Sequence, residues 1–214
     1  MKLSKLFETQ AALDEHIMQE HPELRGQNNL DWKLLALQVE LGECANEWRG
    51  FKKWSKDQEP RTVKFEDVKC CECKGSGYKL DHGAGSFYEC WSCKGLGIEG
   101  TVKENPLLEE YVDCLHFILS IGLELELNDR SNSLIRELHA VENEVNEMFV
   151  EVLTHTCDLY WADYHDPENT ESSYKNIFSN FVHLGQLLSF TWEQVEEAYY
   201  AKNKVNHERQ ITGY

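Results

Sequence analysis

Two copies of one short pattern, C-x-x-C-x-G-x-G, constrain this chain more than any other feature. They read Cys70-Cys-Glu-Cys73-Lys-Gly-Ser-Gly77 and Cys90-Trp-Ser-Cys93-Lys-Gly-Leu-Gly97, with 16 residues between Cys73 and Cys90. The glycines let backbone N–H groups turn toward sulfur, and four thiolates from two such knuckles make a closed tetrahedral zinc site. Such a site leaves no position for water, so its metal is structural. Cys71 is a bystander. Seven of the thirteen glycines lie between Cys70 and Gly100, where aliphatic residues are few, so residues 65–104 read as an inserted four-cysteine zinc-binding module. A module this small has too little apolar content to fold without its metal.

Outside the module the periodicity is helical. Leu3, Leu6, Gln10, Leu13 and Ile17 share one face of a helix that should stop near His21-Pro22, because the residue before proline is pushed out of the helical region. A second helix is predicted from about Leu30 to Trp48 on the stripe Leu34, Leu37, Leu41, Ala45 and Trp48. Asn105-Pro106 opens a third, apolar on most sides to about Leu127. Ser131 to Trp161 is predicted as one long helix marked by Leu134, Leu138, Val141, Val145, Met148, Val152 and Leu159, interrupted afterwards by Asp166-Pro167. Tyr174 to Leu188 gives another, and Thr191-Trp-Glu-Gln194 has the form of a capping box opening the last. The expected class is all-α, a bundle of about six helices formed by residues 1–64 and 105–214.

At 214 residues and 41% hydrophobic the chain can bury a substantial core, and no apolar run approaches the roughly 18 residues of a membrane span. No apolar leader follows Met1, so a cytoplasmic location is expected, where the cysteines stay reduced; Cys44, Cys114 and Cys157 then read as small core residues. A net charge of −17 disfavours polynucleotide binding.

Three constellations carry chemistry. Glu40, Glu43 and Glu47 recur at i, i+3 and i+7, which suits a solvated acidic face as well as a metal site. Glu110 and Asp113 lie one turn apart on the helix that is otherwise apolar nearly all round, where carboxylates need a compensating cation. Two such pairs make a cage of hard oxygen ligands, favouring magnesium or manganese. Lys202, Asn206 and Arg209 put an ammonium, an amide and a guanidinium on one face of the last helix, which can grip a polyphosphate or complement the helix dipole.

The stretch from Leu37 to Ser55, the stretch from Asn105 to Phe117 and the Lys202–Tyr214 ending together resemble the dimeric all-α dUTPases, within the wider MazG-like nucleotide pyrophosphatases. The resemblance implies a homodimer that converts dUTP, and also dUDP, to dUMP. It matches Glu40, Glu43, Glu110 and Asp113 to metal-binding carboxylates and Lys202, Asn206 and Arg209 to a phosphate-binding motif. It matches Gln10 to a base-recognising glutamine and Trp54 to an aromatic wall beside the base. Cations held by acids on one side, with Lys and Arg on the other, neutralise the charge that builds as water attacks a phosphorus atom. Glu40 or Glu43 is the expected proton acceptor. The face Val141/Val145/Met148 is the expected partner surface. The cysteine insert resembles the zinc repeats of J-protein chaperones, with one pair of repeats and no J-domain tripeptide. The competing readings are a less selective MazG-type pyrophosphatase, a zinc-dependent adaptor on a helical scaffold, and a di-iron bundle, which normally wants two E-x-x-H motifs where this chain has only Asp113-x-x-His116.

Overall fold

A computed structural model describes residues 2–81, 85–135 and 144–213. The chain divides into two compact units, residues 1–60 with 107–214, and residues 61–106. The first is all-α, as expected. Among the described residues its helices are α1 (Leu3–Glu20), α2 (Leu30–Trp48), α3 (Pro106–Glu124), α4 (Val145–His165), α5 (Thr170–Leu187) and α6 (Trp192–Thr212). No described helix is long and apolar enough to cross a membrane.

The predicted stripes are the buried ones. α1 turns Leu3, Leu6, Gln10 and Leu13 inward and stops at His21, before Pro22. α2 buries Leu34, Leu37 and Leu41, and with them Lys33. Thr191 and Gln194 form the capping box of α6, each side chain bonded to the other's backbone N–H.

α3 is the central helix, with Leu107, Tyr111, Leu115, Ile118 and Leu119 inaccessible to solvent. Its packing against α5 is reciprocal. Tyr174 of α5 donates its hydroxyl to the Ile118 carbonyl over Gly122, where a Cβ would stand 2.2 Å from the phenolic oxygen. Tyr111 of α3 donates to the Phe181 carbonyl over Gly185, where a Cβ would stand 2.4 Å away. Each glycine is therefore the space its neighbour's tyrosine occupies, which fixes the axial register of the two helices.

The long helix predicted from Ser131 does not begin there. α3 ends in a Schellman turn, with Leu127 N–H bonded to Gly122 O, Glu126 N–H bonded to Leu123 O, and Glu126 itself left-handed at φ 56°. The polar run Asn128–Ser133 then makes a 3-10 turn, as residues whose side chains compete for backbone groups favour. α4 starts only at Val145; Leu138 and Val141 lie outside the described residues. Nor does that helix offer the expected partner face, because Met148 is buried and Val145 packs against the core. α5 begins one turn earlier than predicted, at Thr170, after a 3-10 turn at Pro167–Asn169. Of the three cysteines expected inside, Cys44 and Cys114 are buried, but Cys157 is exposed and accepts a bond from Gln38 Nε2 at 3.3 Å.

The second unit contains four short strands, β1 (Lys64–Lys69), β2 (Tyr78–Leu80), β3 (Phe87–Glu89) and β4 (Ile98–Glu104). β1 pairs antiparallel with β4, from Lys64 opposite Glu104 inward, and β2 pairs antiparallel with β3. The repeat in sequence becomes a repeat in space. Cys70 N–H bonds to Gly97 O and Cys90 N–H to Gly77 O. Gly77 lies against the Gly95 carbonyl and Gly97 against that of Gly75, so closely that a Cβ on either would fall 2.4 Å or 2.5 Å from oxygen. Both glycines have φ 76°. Each knuckle thus closes on the other, and glycine is required at both positions.

Candidate active site

α2 and α3 bring the two acidic pairs together, with one exception. Glu40, Glu43 and Glu110 each offer a carboxylate oxygen within 4.8 Å of the others. Asp113 is instead held by Lys202, whose Nζ is 2.6 Å from Asp113 Oδ2 and 2.7 Å from Glu109 Oε1. Burial, then the neighbouring Asp113 and Glu43 carboxylates, raise the Glu40 carboxyl to about 7. Glu110 is also raised to about 7, by burial, then Asp113 and Glu43. Burial raises Asp113 too, although Lys202 opposes it. Carboxyls raised by burial and then by one another mark a place where a cation relieves the cost of their charge, and an all-oxygen donor set suits a hard divalent ion.

Beside this cluster opens a cavity of about 350 Å³, lined in part by Glu40, Asp113, Asn206 and Arg209. Arg209 and Asn206 thus share a cavity with the acids, whereas Lys202, on the same face of α6, serves as the counter-ion of Asp113. Gln10 also lines the cavity, but its amide is engaged: Oε1 lies 2.8 Å from both Tyr199 Oη and His116 Nδ1, and Nε2 donates to Asp14 Oδ1 at 2.7 Å. Trp54 does not line it. That ring is 78% exposed and meets Phe51 edge-on, while the indole that does line the cavity is Trp32.

Other buried polar groups around the cavity were not foreseen from the sequence. Lys33 Nζ is 2.7 Å from Glu124 Oε2 and 4.0 Å from Asp14 Oδ2, and Ser120 Oγ donates to Asp14 Oδ2 at 2.7 Å. The signal was present in the spacing: Lys33 interrupts the apolar stripe of α2, and Asp14 follows Gln10 by one turn. His116, singled out only as part of an incomplete iron motif, is buried in the same wall. Burial, then the Lys202 charge, lowers it to about 3, so it is neutral.

In the second unit Cys70, Cys73, Cys90 and Cys93 are buried and their sulfurs lie within 4.8 Å of one another. The Cys70–Cys90 and Cys73–Cys93 sulfur separations are 3.9 Å and 3.7 Å. A tetrahedron with Zn–S bonds of about 2.3 Å has edges of about 3.8 Å, whereas a disulfide requires about 2.05 Å. Gly77 and Gly97 each donate a backbone N–H to a sulfur, Cys73 and Cys93 respectively, at 3.2 Å. The donor set and its edges fit zinc.

A family model described as dUTPase matches residues 2–68 and 88–214, its one gap lying across the first knuckle. No curated protein and no solved structure matches the chain.

Proposed function

The chain belongs to the dUTPase family, and on that premise we propose that it hydrolyses dUTP, and dUDP, to dUMP, releasing pyrophosphate from dUTP. The observation that carries this reading is the shared cavity in which Glu40 and Asp113 face Asn206 and Arg209. Glu40, Glu43 and Glu110, with Asp113 once Lys202 yields it, would hold magnesium or manganese. When bound, that cation supplies charge neutralisation to the phosphates and lowers the pKa of water. Arg209 and Asn206 grip the phosphate chain and orient it for in-line attack at the β-phosphorus. Glu40 or Glu43 takes the proton from the attacking water, a role that a carboxyl titrating near neutrality suits. Lys202 is close enough to both Asp113 and the cluster to move from acid to phosphate as substrate arrives. Gln10, in the cavity wall, is the base-recognising residue of this reading.

The insert, bounded near residues 65 and 104, binds one structural zinc through Cys70, Cys73, Cys90 and Cys93 and contributes no group to hydrolysis. The reading extends to a cytoplasmic homodimer. Leu35 and Val39 of α2 and Val150, Trp161 and Tyr164 of α4 are exposed, and the Gln38–Cys157 bond links the two helix faces that carry them. An apolar surface of this kind supports self-association.

The test is to incubate the purified protein with each deoxynucleoside triphosphate and magnesium and to follow pyrophosphate release. dUTP should be split only with a divalent cation present, and Glu43→Gln or Asp113→Asn should remove most turnover in a folded protein. Undiminished turnover in either variant, or in excess chelator, overturns the metal assignment. Comparable turnover of dCTP or dTTP identifies the less selective MazG-type reading instead.

A further inference from the structure

α1 and α6 lie side by side and run the same way. Near their starts Lys2 N–H reaches Glu196 Oε1 at 3.4 Å, and Tyr199 Oη lies 3.5 Å from Leu6 O and 2.8 Å from Gln10 Oε1. About two turns further along, each helix presents a histidine to the other. His16 Nδ1 and His207 Nδ1 are 2.7 Å apart, and the rings stack with centroids separated by 5.0 Å and planes inclined by 22°. Both side chains are half-buried. The pair is interleaved with the cavity wall: Ile17 and Met18 follow His16, Asn206 precedes His207, Arg209 and Gln210 follow it, and all five line the cavity.

Two imidazoles so placed are joined only while one Nδ1 carries hydrogen and the other does not. A first added proton leaves that bond in place and makes it charge-assisted. A second puts hydrogen on both Nδ1 atoms, abolishes the bond and sets two cations face to face. The seam around the pair is polar: the α6 residues turned to α1 are Tyr199, Asn203 and His207 at i, i+4 and i+8, and Asn203 is buried with no bond partner for Nδ2 among the described residues. The other charged groups near this seam are exposed or already engaged. On α1 Glu20 is exposed and Glu15 is bonded to Arg25; on α6 Lys204 and Glu208 are exposed, and Arg209 contacts Asn206. In the 3-10 turn Pro22–Leu24, Glu23 meets His21, and in the turn Asn128–Ser133, Asp129 is exposed and Arg130 is bonded to Glu171. His116 of α3 is held by Gln10. Burial, then the His16 charge, holds His207 below the ordinary imidazole value. The unfolded chain therefore takes up a proton that the seam refuses, and the stability involved is present above the ordinary imidazole range and lost as the pH falls through it.

We infer that His16 and His207 are an acid-sensitive latch: while at most one of them is charged they hold the C-terminal halves of α1 and α6 together, and when both are charged the seam opens and loosens the part of α6 that carries Asn206 and Arg209. Neither ring lines the cavity, so both act through the helices they join. α1 carries Gln10 and α6 carries Asn206 and Arg209, so one event in the seam displaces groups assigned to base and to phosphate together. That consequence for nucleotide rests on the dUTPase reading above; the latch itself does not. Its release takes two protons on the same pair, which sets it apart from the titration of Glu40 and Glu110 on α2 and α3.

The test uses the intact protein without magnesium. Imidazole nitrogen NMR from about pH 8 to about pH 5.2, with signals assigned by their loss in His16→Gln and His207→Gln, should show the pair taking up its two protons in steps at least about one pH unit apart. Amide exchange in residues 203–212, relative to the unfolded-chain rate, should hold steady through the first step and speed up at least about threefold through the second. The double variant His16→Phe/His207→Phe keeps two stacked rings with nothing to titrate, and its protection should stay level over the same range. Calorimetric binding of dUMP should weaken from about pH 7.5 to about pH 5.2 by at least about threefold more in the wild type than in this variant, because Glu40 and Glu110 titrate in both. Two protons entering within about 0.3 pH unit of each other overturn the latch with no variant needed. So does an equal loss of protection in the wild type and the double variant, the behaviour of general acid loosening. Equal weakening of dUMP in the two proteins overturns the link to the cavity. If neither protein binds dUMP at neutral pH, the dUTPase reading falls, and the NMR and exchange results still decide the latch.

Discussion

Metal binding at the acid cluster should release protons, and the number follows from the two raised carboxyls. Glu40 and Glu110 both titrate at about 7 in the metal-free protein. At pH 7 each is then about half protonated, and loading a divalent cation must expel about one proton in total. Treated as independent sites, each is about one-eleventh ionised at pH 6 and about ten-elevenths ionised at pH 8. The doubly ionised form therefore grows about 100-fold across that interval, and apparent magnesium affinity should rise with it. The assay is calorimetric titration of magnesium chloride at pH 6, 7 and 8, each in two buffers of different ionisation enthalpy, whose heat difference counts the protons. Glu110→Gln removes one of the two titrations and should reduce the pH dependence to about tenfold. The sign is fixed by the direction of the shift. Both folded values lie above the unfolded value, so their contribution to the stability of the metal-free protein is present below the ordinary carboxyl range and lost as the pH rises through about 7. Magnesium affinity that changes less than threefold from pH 6 to 8, or heats independent of buffer, would refute the reasoning.

Three further outcomes are expected. Gly77→Ala forces a Cβ to 2.4 Å from the Gly95 oxygen at φ 76°, a strain of about 1–3 kcal/mol; zinc should pass to a colorimetric chelator faster than from Gly100→Ala, where no atom lies within 4 Å. Lys33→Met leaves Glu124 and Asp14 without their cation and should lower stability in urea by about 3 kcal/mol; a loss below 1 kcal/mol would show that the buried charge is not compensated by these acids. Sedimentation at micromolar concentration should give twice the chain mass, and Trp161→Glu, on the exposed face of α4, should shift the protein toward monomer without unfolding it.

The residues that fold this chain were more legible than those that line its cavity. The ends of α1 and α6 were readable because Pro22 and the Thr191/Gln194 box act locally, through covalent geometry and a hydrogen-bond pair three residues apart. The start of α4 was not, because a hydrophobic rhythm continuing through Leu134 conceals the turn made by Asn128–Ser133 and the left-handed Glu126. The acid pairs stood out because Glu110 and Asp113 violate the apolar pattern of α3. Lys33 violates the pattern of α2 in the same way, yet a lone lysine on a stripe is ordinarily dismissed as a side chain that reaches solvent. Its partners, Asp14 and Glu124, lie on two other helices, and only tertiary structure joins them. Trp54 is the opposite case: a motif match implies a place beside a ligand, while its ring is exposed and does not line the cavity.

Lys64 and Glu104 face one another across the first rung of β1 and β4. A chain that leaves and returns at one rung presents the helices with a short tether, however many residues hang beyond it. With the module folded, the effective loop between the end of α2 and the start of α3 is about a third of its length with the module unfolded, a difference in closure entropy of about 1 kcal/mol. Glu40 and Glu43 stand before that tether and Glu110 after it. The knuckle metal can therefore influence how readily the acid cluster assembles, by roughly fivefold, acting solely through the entropy of the intervening polymer.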